Sequence, residues 1–351
     1  MTSPHKLITV QLELTSRCNE RCVHCYIPHE WKTRNMDSAL LMSLLDQCRD
    51  MGVEQVTFSG GEPMLHDNFW DILDKADFHG FKIRVFSNLT LLDDTKIMRL
   101  KTMRHIHEIQ TSLYSVDPSI HDKVTQCPGS CEKTKRGFES LAEKGIPVFI
   151  SCPLMKQNKD SYREVLSFAK RLGAGCSPNV AISAQSGGGT ENLANRLSLD
   201  EALTVIQDIL EHDTAYNAER FMPGYGNSDD TLPCVQSIGK ASLCVNAHGK
   251  VLPSPAWNRV LGDLNNQTLR DIWENSAELA KIRAITLEKD FPQCRPCPDI
   301  QFCCMSLEEN VNENPDGSPS NIPPHVCTLA RRMRELVHGW HKKNSASREA
   351  G

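Results

Sequence analysis

The chain has 351 residues, with 39 Lys and Arg against 44 Asp and Glu and a formal net charge of -5. No run approaches the roughly 18 uninterrupted apolar residues of a bilayer-spanning helix, and the N-terminus lacks the apolar core and cleavage site of a signal peptide. An acidic balance is ill suited to gripping phosphate backbones, so membrane-integral, secreted and nucleic-acid-binding classes are set aside.

In chain order, strand-like and helix-like segments alternate. Residues 7–14 read as a strand, and 37–51 as a helix that stops before Gly52. Residues 53–59 and 68–78 form the second pair, and 81–87 and 94–103 the third. Residues 106–113 with 132–144, 146–152 with 161–172, and 177–183 with 198–211 complete six strand–helix units. Short connections between such units predict a parallel α/β architecture, either an open doubly wound sheet or a partial barrel. Both place chemistry at the carboxyl ends of the strands.

The character then changes. Residues 221–232 are rich in Gly, Pro, Asn and Asp and read as a linker or loop, and 310–324 as an irregular, proline-rich loop. Residues 326–342 read as a terminal helix, followed by a frayed tail. The expected segments are 1–212 for the α/β domain, 213–233 for a linker, 234–342 for a cysteine-rich module and 343–351 for a flexible tail.

Fifteen cysteines make up about 4% of the chain, below the roughly 8–10% of a disulfide scaffold. Their number is odd, which with no export signal points to metal-binding thiols in a reducing cytoplasm. The densest group is Cys18-x3-Cys22-x2-Cys25, directly after the first strand. Three thiolates so spaced can hold three irons of a cubane and leave the fourth open. Zinc, with His24 or His29 as fourth ligand, is the other reading of the spacing. Cys48, Cys152 and Cys176 read as core residues, and Cys127 and Cys131 as flanking a loop-to-helix turn.

This trio, followed by Ser59-Gly60-Gly61-Glu62-Pro63 at the end of the second strand, resembles the radical S-adenosylmethionine superfamily. The resemblance implies a partial (β/α)6 barrel of the radical SAM type and a [4Fe–4S] cluster on Cys18, Cys22 and Cys25. It also implies S-adenosylmethionine held through Gly60, Gly61 and Glu62. Glycines permit close backbone approach, and a carboxylate accepts hydrogen bonds from an ammonium. Ser112 resembles the family's ribose contact. Asn88 stands where members line the cofactor pocket, and His24 where an aromatic packs near adenine. The implied chemistry is reductive cleavage of S-adenosylmethionine to a 5′-deoxyadenosyl radical, which removes hydrogen from a substrate.

Farther along, Cys294-x2-Cys297-x5-Cys303 and then Cys327 resemble the SPASM extension of such enzymes, where these positions bind an auxiliary [4Fe–4S] cluster. A zinc knuckle is the plainer reading of the C-x2-C. Two further ligand positions of the family carry Ser254 and Leu307 instead, so one auxiliary cluster is expected rather than two. Cys234, Cys244 and Cys304 are left as candidates for a rearranged second one.

Local phrasing at 112–134 and 152–160 resembles maturases of ribosomally made peptides. That implies a precursor peptide as substrate, for crosslinking, thioether formation or epimerisation. A sugar or nucleoside intermediate is the alternative, and a non-catalytic zinc or iron–sulfur scaffold the alternative of another class. A reductase, flavodoxin or ferredoxin is expected as electron donor. The first strand begins so early that leader recognition is expected from a separate leader-peptide-binding protein or from the C-terminal module. Sulfatase-maturing relatives place an Arg against the cofactor carboxylate where this chain has Thr125.

Overall fold

The computed structural model describes residues 5–212 and 238–349. By internal contacts it divides into two units, which among the described residues are 5–196 with 238–283, and 197–212 with 284–349.

The first unit is built on one sheet. Its strands are β1 (Thr9–Thr15), β2 (Gln55–Gly60), β3 (Lys82–Phe86), β4 (Ile106–Ser112), β5 (Val148–Pro153), β6 (Gly175–Asn179), β7 (Ser242–Val245), β8 (Lys250–Leu252) and β9 (Gly262–Asp263). They lie in the order β6-β5-β4-β3-β2-β1-β7-β8-β9. From β6 to β7 every pairing is parallel, and β7, β8 and β9 pair antiparallel. The sheet is open, with β6 and β9 at its edges. Along β1 and β2 apolar residues alternate with polar ones, and those apolar residues are buried. Val10, Leu12, Leu14, Val56, Phe58, Ile83, Ile109 and Ile150 are fully buried.

The helices of the crossovers are α1 (Ser38–Asp50), α2 (Phe69–Phe78), α3 (Asp94–Thr102), α4 (Pro118–Thr125), α5 (Ser130–Glu143) and α6 (Tyr162–Arg171). Helix α1 buries Leu41, Leu44, Leu45 and Cys48, one stripe at helical spacing. Asp37 caps its start by accepting from the Leu40 amide at 2.9 Å.

Helix α4 was not expected. Eight residues are too few for periodicity to register, yet its start is written in Asp117-Pro118. Pro118 sits in the first turn, and the Asp117 carboxylate accepts from the Ser119 amide at 2.8 Å. Strand β6 begins two residues earlier than the expected 177 and ends at Asn179.

Residues 238–283, expected within the cysteine-rich module, carry strands that extend the sheet of the first unit. Strand β7 runs beside β1 from Thr9↔Ser242 to Leu12↔Val245 and covers a strand edge whose amides and carbonyls need partners. Helices α8 (Leu269–Asn275) and α9 (Ala277–Arg283) follow.

The second unit contains α7 (Leu199–His212), α10 (Leu287–Asp290), α11 (Leu307–Glu313) and α12 (Pro324–Glu349), with α7 packed on α12. Helix α11 enters the stretch expected to be irregular. Its buried residues include Asn310 and Asn312, so a search for apolar periodicity misses it. The Asn310 side-chain amide donates to the Pro319 carbonyl at 2.7 Å and holds the following loop. Helix α12 continues to Glu349, through most of the segment expected as a tail. The expected linker at 213–233 lies outside the described residues, as does Cys234. Among the described residues no helix is long and apolar enough to cross a membrane.

If β7 is structurally part of the first unit, Leu243→Ala, at a site 2% exposed, lowers its unfolding free energy by about 2–5 kcal/mol. Chemical denaturation followed by circular dichroism checks this.

Candidate functional site

Residues 16–35 form a long loop at the carboxyl end of β1, and its base is closed by hydrogen bonds. The Ser16 amide donates to the Arg34 carbonyl at 2.7 Å. The Ser16 hydroxyl accepts from the amides of Thr33 and Arg34 at 3.1 and 3.0 Å. Beyond the base, the three cysteines stand on a limb that lacks secondary structure of its own. Its polar backbone is satisfied from outside. The amides of Arg21 and Val23 donate to the carbonyls of Thr125 and Val124 at 2.9 and 3.0 Å. These are carbonyls at the end of α4, which have no intrahelical donors. On the other side, Asn195 Nδ2 donates to the Val23 carbonyl at 3.0 Å and Asn192 Nδ2 to the His24 carbonyl at 3.2 Å. The Ser186 amide donates to the Tyr26 carbonyl at 2.8 Å. Sequence reading missed Asn192, Asn195 and Ser186, because partners more than 150 residues away leave no local motif.

The thiols of this loop influence one another. Burial pushes the Cys18 thiol up to about 11. Cys22 is pushed well above its ordinary value by burial first, then by Glu20, Cys25 and Cys18. Two thiols whose ionisation burial opposes fit a cationic cluster that would take up their thiolate charge.

Gly60 and Gly61 meet backbone. A Cβ on Gly60 would lie 2.1 Å from the Thr15 carbonyl oxygen, and one on Gly61 2.1 Å from that of Arg17. The Gly61 amide donates to Thr15 O and the Glu62 amide to Arg17 O, both at 2.8 Å. The glycines therefore dock the end of β2 onto the chain entering the cysteine loop.

Glu62 is fully buried. Its Oε1 accepts from the Ser87 hydroxyl at 2.9 Å and the Met64 amide at 3.1 Å, and its Oε2 from the Asn88 amide at 2.8 Å. A carboxylate has about four acceptor positions, so one on Oε2 is left. Burial pushes this carboxyl up to about 7 despite those three donors. An ammonium group would fill the remaining position and supply the missing positive charge.

Asn88, at the end of β3, donates through Nδ2 to Asn19 Oδ1 at 2.8 Å and so reaches the cysteine loop. Ser112 ends β4, where its hydroxyl influences the Tyr114 phenol. His24 is held down at about 4 by burial and is neutral at pH 7. Its ring meets Tyr114 edge-on, with centroids 5.1 Å apart. Thr125 is fully buried and bonded to Ser130 Oγ at 2.7 Å, so it does not replace the expected arginine as a carboxylate partner. Cys131 is buried at the start of α5. There Asp122 accepts from the amides of Gly129 and Cys131 at 2.6 and 2.8 Å, the turn role expected of this pair.

In the second unit, Cys294, Cys297, Cys303 and Cys327 come into one neighbourhood. Burial raises Cys294, with Cys327 and Cys297 adding to it. Burial pushes Cys303 up to about 12, with Cys304, Cys327 and Cys294 contributing. Cys244 is fully buried on β7 of the first unit, and Leu307 is 1% exposed at the start of α11. Among the described residues the group of ligand-type atoms that converges to within 4.8 Å is Glu309, Glu313 and His325, and neither cysteine group draws its sulfurs that close. It contains a hydrogen bond between His325 Nε2 and Glu309 Oε1 at 3.0 Å.

Comparison with known proteins gives the family. Residues 12–169 match the radical SAM superfamily, and residues 234–298 match SPASM, an iron–sulfur cluster-binding domain. The chain is a radical SAM enzyme with a SPASM module. Its cofactors are [4Fe–4S] clusters and S-adenosylmethionine. It is 28% identical to the PqqA peptide cyclase of Gluconobacter oxydans over 94% of this chain and 93% of that one. Its identity to the PqqA peptide cyclase of Xanthomonas oryzae pv. oryzae (strain MAFF 311018) is 26%, over 96% and 94% of the two chains. Among solved structures, Streptococcus suis SuiB bound to precursor peptide SuiA shares the fold with a TM-score of 0.69 and 16% identity, over 92% of this chain and 76% of that one. So does anSMEcpe with bound AdoMet and Cp18Cys peptide, at 0.69 and 14%, over 96% and 99%.

Because a Cβ at residue 61 would collide with the Arg17 carbonyl, Gly61→Ala displaces the cysteine loop. Iron and sulfide counts after anaerobic reconstitution are expected to fall below those of the unaltered chain by an amount equal to one cluster.

Proposed function

We propose that the chain uses its radical SAM chemistry to crosslink a ribosomally made precursor peptide. The observation that carries this reading is its end-to-end similarity to peptide cyclases, over 94% of this chain and 93% of the Gluconobacter relative. Cys18, Cys22 and Cys25 hold the first cluster, and Cys294, Cys297, Cys303 and Cys327 the auxiliary one. When bound, the first cluster and S-adenosylmethionine together supply the radical that removes hydrogen from the peptide.

The chain's own residues bind, orient and exclude water. Glu62 accepts the methionine ammonium at its remaining Oε2 position. Ser87, Met64 and Asn88 fix that carboxylate, and Asn88 ties it to the cysteine loop through Asn19. Ser112 and His24 line the same cofactor site. A flavodoxin, ferredoxin or dedicated reductase delivers electrons, and a separate protein or the SPASM module recognises the leader. Oxygen-labile clusters suit a cytoplasmic protein.

Co-expression with a candidate precursor peptide, followed by mass spectrometry, tests the reaction. Loss of two hydrogen atoms per crosslink is expected, and an unchanged peptide mass would count against crosslinking. Replacing Cys18, Cys22 and Cys25 with Ala abolishes 5′-deoxyadenosine formation. Replacing Cys294 and Cys297 with Ala keeps some uncoupled cofactor cleavage and loses product.

Glu62→Gln removes a charge-assisted hydrogen bond worth about 1.5–3 kcal/mol, so S-adenosylmethionine affinity drops roughly 10- to 100-fold. The Glu62 carboxyl lies near 7 and must be ionised to hold an ammonium. Affinity therefore weakens as pH falls through about 7 in the unaltered chain and stays flat in Glu62→Gln. Equilibrium dialysis across that range checks both.

A further inference from the structure

Tyr114 stands just past the end of β4 and has no part in the reading above. Its hydroxyl donates toward Cys22 Sγ, at 3.8 Å. The residue is 3% exposed and held on every side. Its ring meets His24 edge-on at 5.1 Å and leans on His121 at 5.2 Å. Its amide donates to His121 Nδ1 at 3.3 Å, and its carbonyl accepts from Asn158 Nδ2 at 2.8 Å. Val124, Met155 and Ile182 pack around it. The Ser112 side chain is hydrogen-bonded to the same phenol, and this packing restrains the phenol beside the sulfur.

We propose that Tyr114 is a positioning residue whose hydroxyl donates to the Cys22 sulfur and thereby raises the reduction potential of the cluster on this loop. The proposal rests on Cys22 being a cluster ligand. A thiolate bound to iron carries negative charge, and reduction adds more. A hydrogen bond donated to the sulfur therefore stabilises the reduced state more than the oxidised one. In a site that burial keeps poor in water, one fixed donor has a larger effect than in solvent. The same bond helps to orient the Cys22 side chain, whose thiol also donates to Glu20 Oε2 at 3.5 Å.

The test uses the full chain, reconstituted anaerobically, as the unaltered protein, as Tyr114→Phe, and with 3,5-difluorotyrosine at position 114. Redox titration monitored by electron paramagnetic resonance reads the midpoint potential. The loop cluster is the one whose signal changes when S-adenosylmethionine is added. Removing the hydroxyl is expected to shift that midpoint to more negative potential. Fluorination makes the phenol a stronger donor and is expected to shift it the other way. An exchangeable-proton coupling seen by electron–nuclear double resonance in the unaltered chain is expected to vanish in Tyr114→Phe. If Tyr114→Phe fails to take up iron, the fluorinated protein, which keeps the phenol and its packing, decides alone. Midpoints that stay in place, or move in the same direction in both proteins, overturn the proposal. If the unaltered chain gives no signal that responds to S-adenosylmethionine, the assignment of Cys22 as ligand falls, and the proposal with it.

Discussion

The limb that carries the three cysteines pairs little of its own backbone, one bond from the Cys25 amide to the Cys22 carbonyl at 3.1 Å aside, and the rest of the site follows from that constraint. The protein lends the limb partners from distant parts of the chain. The end of α4 receives two of its amides, while two asparagine side chains and one serine amide cover its carbonyls. The glycine pair at the end of β2 then fixes where the limb leaves the sheet, because only residues without a Cβ allow backbone to approach backbone so closely. One arrangement thus orders the thiols and, in the next residue, delivers the Glu62 carboxylate to the adjacent strand end.

The electrostatics point the same way. Burial raises Cys18, Cys22 and Glu62 together, so their charged forms lack compensation within the protein. Iron and an ammonium group are the positive partners that such a collection selects. The neutral His24 and His121 beside it add no charge of their own at pH 7, and burial explains why both are held near 4.

Much of this was legible in the sequence, and what was not has physical causes. The spacing of Cys18, Cys22 and Cys25 and the Gly60-Gly61-Glu62 turn stand out because each needs particular residue types within a few positions. The first five strands were readable from apolar runs, and α1 from its cap and stripe. Helix α4 escaped because it is short, and α11 because it buries asparagines. Strand β7 escaped because four residues carry no period, and its place beside β1 is set by a pairing more than 200 residues away. Tyr114 was in view as part of a phrase, but nothing local says that its hydroxyl meets a sulfur 92 positions earlier.

The parallel pairing of β7 with β1 bears on how such proteins are recombined. A seam cut before residue 238 would strip a neighbour from the strand that carries the cysteine limb, whereas one after Arg283 would leave the sheet whole. Chimeras that exchange residues 234–298, the span that matches SPASM, must therefore also rebuild the pairing of β7 with β1.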